Sequence, residues 1–226
     1  MKILSIGKTV SHTHLDITSI DLSALPEHHD IEQYGYVIIN GGDGTIRRVL
    51  SQLHSLEKQP VFILNPTGSF NVVAKIHRAP NIDTVLDMLA KGQIPKTRKH
   101  HIFKLNKELF LFSAGNMGDL QHIFLSETLR FGWLEHGILK YILAVIFLFP
   151  DHLIMTPFML MSKTRFFIFT PLRFIKKFGT FYGEVQEIDI DLDNDYNMIE
   201  LDGDIVNVKG RHLKIRPAGN VRVVTQ

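Results

Sequence analysis

Two short stretches hold the residues whose types and spacing suggest chemistry: "GGDGT" at Gly41–Thr45 and "NPTGSFN" at Asn65–Asn71. Each follows an apolar run and precedes a helical pattern. Glycine is costly to order, so three of them in five residues need a reason. A glycine-rich turn between a strand and a helix collects unpaired main-chain N–H groups and the positive end of the helix dipole. It also lacks side chains that would keep an anion away. The chemistry such a turn suits is polyphosphate binding, and two such turns at successive strand ends suit a nucleotide gripped from both sides. Neither stretch is the G-x-x-x-x-G-K-[ST] phosphate loop or the G-x-G-x-x-G dinucleotide fingerprint. Asp43 is the odd member, because a carboxylate repels phosphate. It fits as a magnesium or water-bridged ligand, a ribose contact or a loop-stabilising cap, and a tight turn with an Asx cap is the plain structural alternative.

The elements that must position these loops follow from the apolar pattern. Residues 2–6 and 36–40 read as buried strands joined by a polar, turn-rich stretch. Ile46, Val49, Leu50 and Leu53 keep the i, i+3, i+4, i+7 spacing of an amphipathic helix. Val61–Leu64 is a further strand, Val72, Val73 and Ile76 start a short helix, and Ile82, Val85, Leu86 and Leu89 form a third stripe ended by Gly92. Strand–helix alternation of this kind predicts a parallel sheet flanked by helices. After Lys96 the rhythm changes. "HIFKLNKELFLF" predicts two strands around Asn106–Lys107, a helical region covers 127–149, and "RFFIFT", "VQEIDIDL", "NMIEL", "RHLKIRP" and "VRVVT" read as strands. The expectation is an α/β, Rossmann-like domain at 1–96 and a mainly antiparallel β domain with a helical insertion at 97–226, the last strand being free to return to the first domain.

Composition bounds the function. The 226 residues are 45% hydrophobic and 21% charged, enough for a sizeable core and far from disorder. A net charge of +2 gives no global signature of nucleic-acid binding. The absence of cysteine removes disulfides and thiolate metal sites, and no signal peptide is visible at the N-terminus, so the cytoplasm is the expected compartment. Charge is locally uneven, with a basic "KTRKHH" at 96–101 and an acidic stretch at 189–204. The apolar stretch 141–149 within "GILKYILAVIFLFPDHLIMTPFMLM" is too short for a bilayer span of ~20 residues.

"GGDGT" followed by the P-x-G-S-x-N-x-x-A pattern of "NPTGSFNVVA" resembles the catalytic domain of diacylglycerol and sphingosine kinases, lipid kinases that share their fold with NAD kinases. "FLFSAGNMGD", "RFGWLEHGILKYIL" and "ELDGDIVNVKGRHLKIRP" are similar to later segments of that family, in order, over residues 36–225. The resemblance implies ATP in a cleft between the two domains and transfer of its γ-phosphate to a lipid hydroxyl, diacylglycerol-like. It assigns ATP phosphates to Gly41, Gly42, Asp43, Gly44, Thr45, Gly68, Ser69 and Asn71. It makes Asp202 the base for the accepting hydroxyl, with Asp204 in the place of a family glutamate and Asp43 near magnesium. The chain departs from the family at several points. Its first strand lacks the N-P-x-x-G loop, leaving Gly7, Lys8 and Thr9 in that place. Arg48 replaces a frequent glutamate, Val72 replaces an aspartate that sphingosine kinases also lack, and no acid lies at 102–105. Two readings therefore stand beside the kinase: a nucleotide- or lipid-binding protein without turnover, and an NAD kinase-like enzyme, for which the expected Asn-Glu pair is missing.

Other patterns have plain readings. "DLDNDYNMIELD" mimics a calcium loop but has Tyr196 where glycine is required, so a hairpin with a solvated acidic face is expected instead. The His12–His14 group and the pairs His28–His29 and His100–His101 lack a third ligand. "KTRFFIFTPLRFIKKF" at 163–178 suits a peripheral membrane contact at the inner surface, and Phe147, Phe149, Phe158 and Met159–Met161 suit either an acyl pocket or core. A lipid substrate is the expected partner; the sequence does not specify the oligomeric state.

Overall fold

The computed structural model describes residues 1–27, 30–68, 71–116, 146, 150, 166–170 and 187–226. Most of the helical region expected at 127–149 falls outside the described residues. So do Ser69, the His28–His29 pair, the acyl-lining candidates and the greater part of 163–178. The chain divides into two compact units, Met1–Ile102 with Ala218–Gln226, and Phe103–Pro217. The fold is mixed α/β, with a mostly parallel sheet and a separate antiparallel one.

In the first unit, β1 (Lys2–Ile6), β2 (Asp16–Ile20), β3 (Tyr36–Gly41) and β4 (Val61–Pro66) lie in the order β2–β1–β3–β4, all neighbours parallel. The runs in β1, β3 and β4 are apolar without alternation because both faces of a parallel sheet are covered. Ile3, Leu4, Val37, Ile38, Phe62 and Ile63 are all buried. Three helices follow their predicted stripes: α1 (Asp43–Leu53), α2 (Val72–His77) and α3 (Ile82–Ala90). In α1, Ile46, Val49, Leu50 and Leu53 face inward; Val85, Leu86 and Leu89 of α3 pack with Ile3, Ile38 and Ile63. β2 corrects the expected turn-rich connection. Its "DITSI" has two apolar residues among polar ones and is only half-buried, so periodicity reveals little of it.

In the second unit, the end of β5 (Thr97–Leu105) and β6 (Glu108–Phe110) form the expected hairpin, Phe103 opposite Phe110, with Asn106 left-handed in the turn. β7 (Ser113–Gly115), β8 (Phe167–Phe169), β9 (Ile188–Asp191), β10 (Tyr196–Leu201), β11 (Asp204–Lys209) and β12 (His212–Val224) complete the strands. The antiparallel sheet runs β11–β10–β7–β8.

The acidic hairpin expected around 191–202 does not form. β9 pairs antiparallel with β12, whereas β10 pairs with β11 and β7. The reason is the inward set of β9: Ile188, Ile190 and Leu192 are buried with Leu213 and Ile215. Its acids turn outward, Asp191 to His212 Nδ1 at 2.7 Å, and Asp195 beyond the strand meets Arg211 Nε at 3.0 Å. β12 joins what read as two strands, and its end returns to the first unit, where Arg222 and Val223 pair in parallel with Val61 and Phe62.

A buried histidine pair links α2 to β5. His77 is 3% exposed, and its Nε2 lies 2.9 Å from His100 Nδ1. One of these nitrogens donates and the other accepts. Burial, and secondarily the charge of Arg98, holds His77 below the ordinary histidine value of 6.5. The folded chain then binds fewer protons than the unfolded one below that pH, so stability falls as pH drops. Urea titrations of the native chain and of His77→Gln should therefore converge as pH is lowered through 6.5, with the native chain losing more; a constant difference would show His77 to be unperturbed.

Candidate functional site

The register of β3 and β4 sets Gly41 opposite Pro66, so the two glycine stretches leave the sheet side by side. They touch through bare backbone. A Cβ on Gly68 would sit 2.8 Å from Gly42 Cα and 2.9 Å from Asn71 Oδ1, and one on Gly42 would sit 3.2 Å from Gly68 Cα. A Cβ on Gly41 would lie 2.4 Å from that of Thr45, and Thr67 N–H donates to Gly41 O at 3.3 Å. The glycines are required here first by loop-to-loop contact.

Asp43 is 8% exposed and acts across that contact. Its Oδ2 accepts from Val72 N–H at 2.8 Å and its Oδ1 from Val73 N–H at 3.0 Å, which satisfies two first-turn amides of α2. Of the readings left open in the sequence, this is the loop-stabilising cap. Burial pushes its carboxyl above the ordinary range, against the pull of those two N–H groups and Lys75. The N-terminus of α1 differs: Gly42 at its N-cap makes no side-chain cap bond. Arg48, one turn on, directs its Nε to Gly44 O at 3.3 Å. In the second loop Gly68 N–H donates to Asn71 Oδ1 at 3.0 Å and Asn71 Nδ2 donates to Gly68 O at 2.6 Å, so both residues shape the turn itself.

A polar ladder behind the loops was missed by the sequence reading. Asn65 Nδ2 donates to Asn40 Oδ1 at 2.7 Å, and Asn40 Nδ2 donates to Ser5 Oγ and Ile6 O, both at 3.0 Å. Ser5 Oγ then reaches Lys8 O at 2.7 Å, which fixes the Gly7–Thr9 turn against the end of β3. The available signal was an asparagine closing each of two apolar strands.

In the second unit Asp202 is 4% exposed, with a left-handed φ of 52°. Its Oδ2 accepts from Leu111 N–H at 2.7 Å; its Oδ1 accepts from Phe112 N–H at 2.8 Å and Ser113 N–H at 3.0 Å. Burial pushes this carboxyl up to about 7, with the three N–H bonds opposing and the charge of Glu200 adding to the rise. Glu200, also buried, accepts from Ser113 Oγ at 2.9 Å and from Gly203 N–H. It too was missed, although it stands two residues before Asp202. Asp204 opens β11 half-buried, opposite Leu201.

The fold thus brings Gly41, Gly42, Asp43, Gly44, Thr45, Gly68 and Asn71 together in one unit, and Asp202 with Asp204 in the other. The uncapped α1 terminus beside a backbone-lined contact fits phosphate oxygens. Magnesium is offered less. Among the described residues no three His, Asp or Glu converge as metal ligands, and both oxygens of Asp43 are engaged by amides.

Residues 8–101 match the diacylglycerol kinase catalytic domain. The match takes in both glycine loops and covers less than half of the chain. A protein of Streptococcus pneumoniae serotype 4 (strain ATCC BAA-334 / TIGR4) named "Putative lipid kinase" is 28% identical over 130 residues, which are 56% of this chain and 43% of that protein. The chain therefore aligns with under half the length of that relative. Two crystal structures from Bacillus anthracis str. Sterne, a "putative diacylglycerol kinase" and a diacylglycerol kinase, share the fold with TM-scores of 0.57 and 0.56. Each is 13% identical, across 100% of this chain and 96% of the other. The match to the diacylglycerol kinase catalytic domain agrees with the resemblance carried by "GGDGT" and "NPTGSFNVVA".

The cap gives a direct test. Asp43→Ala leaves two α2 amides without their acceptor and should cost about 1–2 kcal/mol in urea unfolding. Gly68→Ala drives its methyl against Gly42 Cα and should lower the melting temperature more than Gly42→Ala, for which the gap is 3.2 Å. Equal melting temperatures would mean that the loops are not in contact.

Proposed function

We propose that the chain is an ATP-dependent lipid kinase, diacylglycerol kinase-like, that transfers the γ-phosphate of ATP to the hydroxyl of a diacylglycerol-like lipid. The observation that carries the reading is the backbone contact of the two glycine loops, inside the segment that matches the diacylglycerol kinase catalytic domain. First-turn amides of α1 at Gly44 and Thr45 hold phosphate oxygens, while Gly41, Gly42, Gly68 and Asn71 shape the floor. Ser69, outside the described residues, completes the second loop. Arg48 supplies a positive charge one turn from the loop, offsetting Asp43. Phosphoryl transfer asks mainly for positioning and charge neutralisation, so a cradle of amides and a guanidinium is relevant chemistry.

Asp202 acts as the general base. A carboxylate poised near neutrality is suited to take the proton of a lipid hydroxyl as the phosphorus–oxygen bond forms. Its oxygens are oriented by three amides, and burial, with the charge of Glu200 adding to it, keeps its affinity for the proton high. Asp204 opens the strand after it, opposite Leu201. The protein works in the cytoplasm against a membrane lipid. Among the described residues, no helix is long and apolar enough to cross a bilayer. A second reading, nucleotide binding without turnover, is favoured by the engagement of both Asp43 oxygens.

Purified protein incubated with labelled ATP and a panel of diacylglycerols and sphingoid bases should yield labelled lipid, with a rate that rises with pH through about 7 as Asp202 ionises. Asp202→Asn should abolish transfer but keep nucleotide affinity, whereas Arg48→Gln should weaken affinity roughly tenfold, the worth of one charge-assisted contact to phosphate. ATP binding with no labelled lipid across the panel selects the non-catalytic reading. No ATP binding removes both.

A further inference from the structure

In the first unit, the connection from α3 to β5 carries an exposed isoleucine. Ile94 is 85% exposed, more than any other large hydrophobic among the described residues. The connection starts from a closed turn: Gly92 N–H donates to Leu89 O at 3.0 Å and Gln93 N–H to Met88 O at 2.9 Å, so Ile94 is presented by a fixed helix end. Lys91 and Lys96 stand three residues before and two after it in the same connection. Lys96 O accepts from Thr225 N–H at 3.0 Å and Arg78 O accepts from Gln226 N–H at 3.4 Å, which sets Arg78 and Lys96 beside two consecutive residues. The charge of Arg98 reaches His77. Lys91, Arg78, Lys96 and Arg98 are all exposed, and Ile76, two residues before Arg78, is 37% exposed. Neither 72–80 nor 88–102 contains a single Asp or Glu. On α3, Asp87 is drawn to His12 at 3.2 Å.

We infer that this surface docks on an anionic membrane, with Ile94 entering the acyl boundary and Arg78, Lys91, Lys96 and Arg98 resting on the headgroup phosphates. An exposed aliphatic side chain on a connection rich in exposed cations and free of acids is complementary to a lipid surface on both counts. A nucleic acid would use the charges but offer the isoleucine nothing. The kinase reading also calls for a membrane, but this inference concerns exposed side chains outside the glycine loops, so loss of vesicle partition and loss of ATP binding or lipid transfer are separate outcomes.

The full chain should co-sediment with phosphatidylcholine vesicles containing phosphatidylglycerol, much less with phosphatidylcholine alone, and should release as salt is raised. Each cation near such a surface is worth about fivefold in partition. Lys96→Glu with Arg98→Glu should therefore lower it by roughly twenty-fivefold or more. Ile94→Ser should lower it severalfold even in high salt, and Lys58→Glu, exposed elsewhere in the unit, should leave it unchanged. These positions are exposed, so unchanged melting temperatures and ATP affinity would separate lost docking from lost folding. Partition that ignores the Ile94 and Lys96/Arg98 changes, partition without preference for anionic lipid, or binding to an oligonucleotide with none to vesicles would each overturn the inference.

Discussion

One buried carboxylate holds the N-terminal loops in register. Asp43 stands in the first turn of α1 and accepts the first two amides of α2, so a single negative charge serves two helix termini. The arrangement needs β3 and β4 in their present register and needs the loops close enough for Gly42 and Gly68 to meet. Glycine at those positions is thus imposed by packing within the protein before any ligand is considered. The cap also makes the two helix ends unequal: Asp43 accepts hydrogen bonds from the first amides of α2, while the N-cap of α1 is a glycine with no side chain to do the same.

The second unit buries a carboxylate by the same physical means. Ionised Asp202 is expensive in a dry interior, and three amides from consecutive residues 111–113 lower that cost without removing it. Its raised proton affinity is what remains of the penalty. Ser113 joins Asp202 and Glu200, by its N–H to one and its hydroxyl to the other, so two acids share one anchor. The negative charge of Glu200 adds to the rise that burial imposes on Asp202.

The α/β beginning was legible because its signals are local: apolar strands, amphipathic stripes and glycine turns over a few residues each. What was missed depends on partners far along the chain. β2 is an edge strand whose polar residues blur its pattern, and β9 reads as half of a hairpin until β12, twenty residues later, claims its hydrogen bonds. In the candidate site, glycine spacing pointed to the loops, and Asn40 read only as the end of a buried strand. Its role in joining three strand ends appears only when Ser5, Asn40 and Asn65 are side by side.

The last strand has a further consequence, for the order of assembly. Residues 218–226 belong to the first compact unit although 103–217 intervene, and Arg222 and Val223 pair with β4. On a ribosome, β4 must wait for more than half of the polypeptide before that neighbour emerges. Its free edge is then open to any other nascent strand. A chain of this topology gains from slow release or from a chaperone shielding that edge, and its N-terminal segment made alone would lack one rung of its own sheet.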